Sequence, residues 1–191
     1  MPVQDIENVI RRCGVIPVLK IKDAATAVPL ASALIAGGLP MAEVTFRTPA
    51  ALEAMRRMVE AHGDTLFVGA GTVLAPDQAD AAMDAGARFI VTPGFNPRVV
   101  DHCLEHGYPV YPGVNAPSQV EQGLERGLRV LKFFPAEASG GTAMLRALGG
   151  PYPEVQFIPT GGVSADNLAD YLTLRNVLAC GGSWLAEGGL R

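Results

Sequence analysis

The sequence is poor in the residues that build disulfide frameworks and zinc sites: three cysteines and three histidines occur in 191 residues. Cys13, Cys103 and Cys180 are widely spaced and odd in number, which argues against both kinds of framework and favours reduced core thiols in a cytoplasmic protein. His102 and His106 are four residues apart on a predicted helix without a third ligand in view. We therefore interpret them as surface residues and expect no metal site.

Other absences exclude classes of partner. The net charge is −4 and no long basic run occurs, which argues against a nucleic-acid partner. No apolar run approaches the roughly 20 residues of a membrane span, and the N-terminus lacks the pattern of a signal peptide. No glycine-rich dinucleotide fingerprint follows the first predicted strand. We therefore expect a cytoplasmic protein without membrane or nucleic-acid partners.

The sequence does contain a regular alternation of short apolar runs and helical segments. Hydrophobic residues make up 49% of the chain, enough for a substantial core. A helix is predicted over residues 2–12, ahead of the first strand. Several later helices begin with proline in or near the first turn, where its missing N–H costs nothing. The predicted strands cover residues 14–19, 42–46, 66–70, 89–92, 110–111, 130–134, 157–160 and 177–180.

Eight apolar strands, most separated by about one helix, predict a parallel sheet buried on both faces. This pattern favours an α/β fold of the (β/α)8 TIM-barrel type, and an open doubly wound sheet is the alternative. No linker or change of composition is visible, so residues 1–191 are predicted to form a single domain. After the last strand the sequence continues only through Gly181-Gly182-Ser183-Trp184 to Arg191. The final outer helix is therefore missing, and we expect either a truncated chain or a partner surface there.

The strand at residues 130–134 has a lysine at its centre. Alternation along a strand places Lys132 and Phe134 on one face and Leu131 and Phe133 on the other. One interpretation is an edge-strand lysine whose amine reaches water. The other is a desolvated lysine, because burial disfavours the ammonium form and yields the neutral amine that attacks a carbonyl.

Polar residues continue past the end of the second predicted strand. Glu43, Thr45 and Arg47 share one face, whereas Val44 and Phe46 face the predicted helix layer. The polar three are therefore expected to point into the barrel, where charges are costly unless they are paired or used. A structural Glu43–Arg47 ion pair is the alternative to a functional site.

The remaining candidates follow other strands. Thr72 follows a run of small residues after the third strand, and Pro93 begins a Pro-Gly turn after the fourth; both positions are compatible with ordinary turn chemistry. Two Gly-Gly pairs follow the last two strands, where barrel phosphate sites recur. Because backbone N–H groups bind anions where no Cβ intervenes, these pairs predict a phosphate site. They are Gly161-Gly162 and Gly181-Gly182, with Ser183 as a further donor.

Five motifs together resemble those of a known enzyme family, in order and spacing from about Ile6 to Trp184. They occupy residues 43–48, 69–73, 132–136, 159–162 and 181–184. The chain is similar to the bifunctional 2-keto-3-deoxy-6-phosphogluconate (KDPG) and 4-hydroxy-2-oxoglutarate (KHG) aldolases. The resemblance implies a class I aldolase on a (β/α)8 barrel, usually a trimer, that works in the cytoplasm without metal or cofactor. Its substrate would be a 2-oxo acid, such as the phosphorylated sugar acid of the Entner–Doudoroff pathway.

The resemblance also implies residue roles. Lys132 would form a Schiff base with the substrate C2 carbonyl, and Glu43 would be the general acid and base, acting through a water. Arg47 and Thr72 would hold the pyruvyl carboxylate. The pyruvyl pocket would be lined by Phe134 and Pro93. The phosphate would be held by Gly161, Gly162, Gly182 and Ser183.

Alternatives stay open at the level of the sequence. Phe46 stands where a leucine is common in the family, but its predicted outward direction leaves the site unaffected. A phosphosugar isomerase or decarboxylase on a similar barrel would share the phosphate site and need no imine. A barrel that serves only as an assembly unit would need neither. The preference among KDPG, its C4 epimer and KHG depends on pocket details that the spacing of residues does not reveal.

Overall fold

The computed structural model describes residues 3–186, which form eight α-helices and nine short strands. The strands are β1 Val15–Leu19, β2 Met41–Thr45, β3 Phe67–Gly71, β4 Ile90–Val91, β5 Val110–Tyr111, β6 Gly113–Val114, β7 Val130–Phe133, β8 Gln156–Pro159 and β9 Cys180–Gly182. The helices are α1 Val3–Cys13, α2 Ala27–Ala36, α3 Ala51–His62, α4 Pro76–Asp84, α5 Pro97–Glu105, α6 Pro117–Glu125, α7 Gly141–Gly149 and α8 Leu168–Leu172.

Local sequence explains where several helices begin. Proline opens α4, α5 and α6, as predicted. Before α2, the Asp23 side chain accepts a hydrogen bond from the Ala25 amide and caps a short 3-10 turn. Before α5, the Asn96 side chain accepts one from the Arg98 amide. The predicted helix over residues 2–12 corresponds to α1, with Pro2 outside the described residues.

All strand pairs are parallel, but they divide between two sheets. One has the order β5-β4-β3-β2-β1-β9 and the other the order β6-β7-β8. The predicted single, closed eight-stranded barrel is therefore not what the hydrogen-bonded ladders form. The observed class is an α/β fold with parallel strands. Within each sheet the strands follow the order of the chain, except that β9 lies beside β1, as the last strand does in a barrel.

Two interruptions separate the sheets. The predicted fifth strand, residues 110–111, is β5, and it pairs with β4. After Pro112, which has no N–H to donate, comes the unpredicted β6, which pairs with β7. At the second junction, isolated parallel bridges join Phe157 to Val177 and Thr160 to Gly181. The last strand was predicted at residues 177–180, whereas β9 begins only at Cys180 because Val177 makes no more than an isolated bridge.

Apolar side chains fill both sides of the sheets. Two clusters pack between the strands and the outer helices. A third lies where the strands begin, and α1 packs onto it through Ile6, Val9 and Ile10. The residues that the strands or their flanking segments contribute to this third cluster are Ile16, Met41, Phe89, Val91, Tyr111, Val130, Ile158, Leu178 and Ala179.

The three cysteines take structural positions in the fold. All three cysteines are free; Cys103 and Cys180 are buried, and burial raises the pKa of Cys103 to about 11 and that of Cys180 to about 12. Cys13 is half-buried and packs against the edge of the third cluster. Within residues 3–186, no helix combines the length and apolar character that crossing a membrane requires.

The sequence predicted that the final outer helix is missing after the last strand. After β9 comes a 3-10 turn at Trp184–Ala186. The residues beyond Ala186 lie outside the described part of the chain.

Candidate active site

Buried polar side chains concentrate where the strands end. Each belongs to the last residues of a strand or to the residue just after it, at the edge where the sites of parallel barrels are found. In the described part of the chain the buried polar residues are Glu43, Thr45, Thr92, Lys132 and Thr160.

The central contact joins a lysine and a carboxylate from different sheets. Lys132 on β7 places its Nζ atom 3.3 Å from Oε1 of Glu43 on β2. The two residues are 5% and 2% exposed. β7 is the central strand of its sheet, so the interpretation of Lys132 as an edge-strand lysine reaching water is wrong. The alternative Glu43–Arg47 ion pair is also wrong, because the carboxylate of Glu43 bonds to Lys132 instead.

Gly71 leaves the room that the Glu43 carboxylate occupies. A Cβ at this position would overlap the Oε1, Cγ and Cδ atoms of Glu43. Small residues such as those at positions 69–71 allow another group to approach the backbone closely. Their consequence here is that β3 leaves space for the side chain of the neighbouring strand, since Gly71 is paired with Thr45 and Gly69 with Glu43.

Arg47 is exposed rather than buried in the interior, which differs from the prediction. β2 ends at Thr45, so the alternation of faces stops before Arg47, and this residue is exposed. A chain of hydrogen bonds nevertheless orients it. The Nε atom of Arg47 donates to Thr45 Oγ1 at 3.1 Å, and that hydroxyl donates to the Leu19 carbonyl at 2.7 Å. Thr45 therefore links the guanidinium to β1.

Thr72 lies next to this arrangement in an uncommon backbone conformation. Its φ of 56° is the one positive value at a non-glycine position among residues 3–186. For a β-branched residue such a conformation costs about 1–3 kcal/mol and is often found at functional sites. Because Thr45 and Gly71 are strand partners, Arg47 and Thr72 follow two adjacent strand ends.

Phe134 and Pro93 lie beside the lysine strand. The Phe134 ring centroid is 5.3 Å from Lys132 Nζ, as expected for two residues on one face. The bond from Phe134 to Pro135 is cis. Pro93 is half-buried, and its carbonyl occupies the space where a Cβ on Gly113 would lie.

The two Gly-Gly pairs are brought together by the Thr160–Gly181 bridge. Gly161 and Gly162 have φ values of 97° and 84°, which only glycine adopts readily. Gly182 is buried, and a Cβ there would overlap the Trp184 ring.

Exposure distinguishes the predicted phosphate residues from one another. Gly162 and Ser183 are exposed, whereas Gly161 is half-buried and Gly182 is buried. All four sequence-predicted phosphate residues therefore lie at the same edge as Lys132 and Glu43, but at different depths.

The histidines take no part in this region. His102 contacts the Asp80 carboxylate at 2.7 Å, and its ring centroid is 4.1 Å from that of His106. His106 is exposed and His102 half-buried. Among residues 3–186 no group of three or more histidine, cysteine or acidic side chains is placed to hold a metal ion.

Comparison with known proteins finds a family whose model matches nearly the whole chain. A family model described as "Aldolase: KDPG and KHG aldolase" matches residues 6–190. A curated relative from Treponema pallidum, a 2-dehydro-3-deoxy-phosphogluconate aldolase, is 53% identical over 180 residues, 94% of this chain and 85% of the relative.

Two solved structures of the same family are similar to this chain over most of its length. The KDPG aldolase of Zymomonas mobilis, determined with 3-phosphoglycerate, superposes with a TM-score of 0.93 at 42% identity, over 99% of this chain and 90% of that one. The KDPG aldolase of Legionella pneumophila, with pyruvate captured as a covalent carbinolamine, superposes with a TM-score of 0.92 at 42% identity, over 95% and 88% of the two chains.

Proposed function

The chain belongs to the KDPG and KHG aldolase family, and from this membership we propose that it is a class I aldolase. It cleaves 2-keto-3-deoxy-6-phosphogluconate to pyruvate and glyceraldehyde 3-phosphate. The observation that carries the proposal is the buried contact between Lys132 and Glu43 at the strand ends. The carbinolamine in the Legionella pneumophila relative supports covalent capture of a 2-oxo acid.

Lys132 is the nucleophile. Its neutral amine attacks the C2 carbonyl, a carbinolamine forms, and loss of water gives an iminium ion. Glu43 carries protons in these steps: at 3.3 Å from the amine it can exchange a proton with Lys132 directly, and a water extends its reach to the substrate. The iminium then accepts the electron pair of the C3–C4 bond while a base removes the C4 hydroxyl proton. Glyceraldehyde 3-phosphate leaves, and the pyruvate enamine is protonated and hydrolysed.

The substrate is held at both ends. Arg47 and Thr72 bind the pyruvyl carboxylate, and the Thr45 hydroxyl directs the guanidinium toward it. Phe134 and Pro93 line the pyruvyl pocket. The phosphate is bound by backbone N–H groups and a hydroxyl at Gly161, Gly162, Gly182 and Ser183.

The enzyme also cleaves 4-hydroxy-2-oxoglutarate to pyruvate and glyoxylate. This substrate has the same 2-oxo acid end and lacks the phosphate, so it needs Lys132, Glu43 and Arg47 but not the glycine pairs. The family description, which covers both aldolase activities, supports this second reaction.

We propose a homotrimer in the cytoplasm, with residues 1–191 as one domain and the two sheets closing into a (β/α)8 barrel through the Thr160–Gly181 bridge. The trimer and the location rest on the family resemblance. Light scattering tests the trimer: a mass near three chains is expected, and the mass of one chain contradicts it.

A coupled assay tests the function. The protein is mixed with KDPG, lactate dehydrogenase and NADH, and pyruvate release is followed as loss of NADH absorbance. We expect continuous turnover without added metal, undiminished by EDTA. A folded protein that releases no pyruvate would favour a non-catalytic assembly unit, and consumption of a phosphosugar without pyruvate would favour an isomerase or decarboxylase.

A further inference from the structure

The phosphate glycines rest on the segment that follows the lysine strand. The Ala136 amide donates to the Thr160 carbonyl at 2.8 Å, and the Glu137 amide donates to the Gly161 carbonyl at 3.0 Å. A Cβ on Gly162 would lie 2.5 Å from Cγ of Glu137. The methylene groups of Glu137 therefore form the surface on which the Gly161–Gly162 backbone lies.

One buried hydroxyl holds the carboxylate of Glu137 in place. Tyr171 on α8 donates a hydrogen bond to Oε1 of Glu137. Burial, reinforced by the Glu137 carboxylate, raises the pKa of the Tyr171 phenol, so the hydroxyl keeps its proton and remains a donor. A Cβ on Gly141, the first residue of α7, would lie 3.2 Å from both Glu137 Oε1 and the Tyr171 oxygen. The carboxylate thus lies beside the amino end of α7, which favours negative charge.

The loop at Gly161–Gly162 is also held by the side chain of Asn167. The Asn167 side chain donates to the Gly162 carbonyl at 3.0 Å and accepts from the Ser164 amide at 2.8 Å. The backbone of this loop is therefore held by two side chains, those of Glu137 and Asn167. Of these side chains, Glu137 alone carries a negative charge.

We propose that Glu137 and Tyr171 are positioning residues for the phosphate of the substrate. Glu137 supports Gly162 through its methylene groups, and Tyr171 keeps the carboxylate directed toward α7 and away from the bound phosphate. Without the Tyr171 hydroxyl, the carboxylate is free to rotate toward the phosphate and repel it. The inference rests on the proposed phosphate site and adds two residues that do not touch the substrate.

The test compares a substrate that carries the phosphate with a ligand that does not. For each variant, the KM for KDPG is measured beside the pyruvate concentration that half-saturates trapping of the lysine by borohydride. We expect Y171F to raise the KM about fivefold, the size of one lost hydrogen bond, and to leave pyruvate trapping unchanged. Removing the charge as well, in Y171F/E137Q, is expected to restore the KM.

E137Q alone keeps a partner for Tyr171 and removes the charge, so its KM is expected to equal or fall below that of the unaltered protein. The matched control is Y152F, because Tyr152, which precedes the start of β8, donates a similar hydrogen bond at 2.9 Å to Glu121 on α6. We expect Y152F to change neither quantity.

Several results would overturn the inference. An unchanged KM in Y171F would do so, as would an equal rise in KM and in the half-saturating pyruvate concentration, or a double variant no better than Y171F. A raised KM in E137Q would show that the charge assists binding and would contradict the proposal. If the unaltered protein neither cleaves KDPG nor traps pyruvate, the proposed function itself fails, a result distinct from all of these.

Discussion

Inside the sheets, the beginnings of the strands are apolar, whereas the ends of the same strands carry charges and hydroxyls. β2 buries Met41 at its start and Glu43 two residues later; β7 buries Val130 and then Lys132. Each pair shares a face, because side chains alternate along a strand. Along β2 and β7, the change from an apolar to a charged residue therefore separates the apolar region at the strand beginnings from the polar region at the strand ends.

The difference shows how stability and chemistry are divided within one interior. The apolar region loses water-exposed surface and stabilises the fold in proportion to the area buried. The polar region holds the buried Lys132–Glu43 contact at a cost, since desolvation of two such groups offsets much of their attraction. We infer that packing at the strand beginnings offsets the cost of the polar ends. Changes at the ends should then alter chemistry, and changes at the beginnings should alter stability.

The largest effect is expected from K132A at the polar end. Loss of the amine removes imine formation, so turnover of KDPG should fall by about 10⁴-fold or more. The coupled pyruvate assay measures it. K22A is the matched control, because Lys22 is exposed. Turnover of K132A within tenfold of the unaltered protein would show that another group does the chemistry.

E43Q should have the next largest effect. Glutamine keeps the shape of the side chain but cannot accept and return a proton, so we expect turnover to fall about 10²- to 10⁴-fold. Pyruvate should still be trapped on Lys132, because the amine remains. Measuring both quantities separates proton transfer from covalent capture. An unaltered rate would remove Glu43 from its proposed role.

F89A addresses the apolar region. Phe89 is fully buried, and its ring fills the space left by Gly69. Removing the ring should lower the free energy of unfolding by about 3–5 kcal/mol, measured by urea denaturation. Folded protein should keep most of its turnover. Lost activity in a variant as stable as the unaltered protein would contradict the division between the two regions.

G71A gives the smallest expected change. The added methyl group must displace the Glu43 carboxylate, which it would otherwise overlap. We expect a loss of about tenfold in turnover, equivalent to roughly 1.4 kcal/mol in the barrier, from misplacement of the acid. Pyruvate trapping should change less.

The matched control is G107A, because a Cβ on Gly107 would meet no atom within 4 Å. That control carries its own strain, since Gly107 has a φ of 69°, so kcat is compared at equal folded fraction. Equal kcat in G71A and G107A would mean that Gly71 does not position Glu43.

Much of this arrangement could be predicted from local patterns. Alternation predicted that Glu43 lies on an inward face and that Lys132 shares a face with Phe134, and proline predicted the starts of three helices. Arg47 was misplaced because period-two reasoning was carried past the end of β2. The two-sheet division depends on pairing at Pro112, which the order of strands along the chain does not reveal.

Contacts between distant residues were beyond the reach of local patterns. Tyr171 and Glu137 are 34 positions apart, and their hydrogen bond arises only when the segment after β7 packs against α8. The fit between Gly71 and Glu43 likewise depends on the register of β2 and β3. Neither has a periodic signal, because each reflects how two elements meet rather than how one element is built.

Trapping the covalent intermediate tests the central claim most directly. The protein is incubated with pyruvate, reduced with sodium borohydride, digested and analysed by peptide mass spectrometry. We predict one stable reduced pyruvyl adduct, on Lys132, and none when borohydride is omitted. An adduct confined to Lys20 or Lys22, or no adduct at saturating pyruvate, would contradict covalent capture by the buried amine.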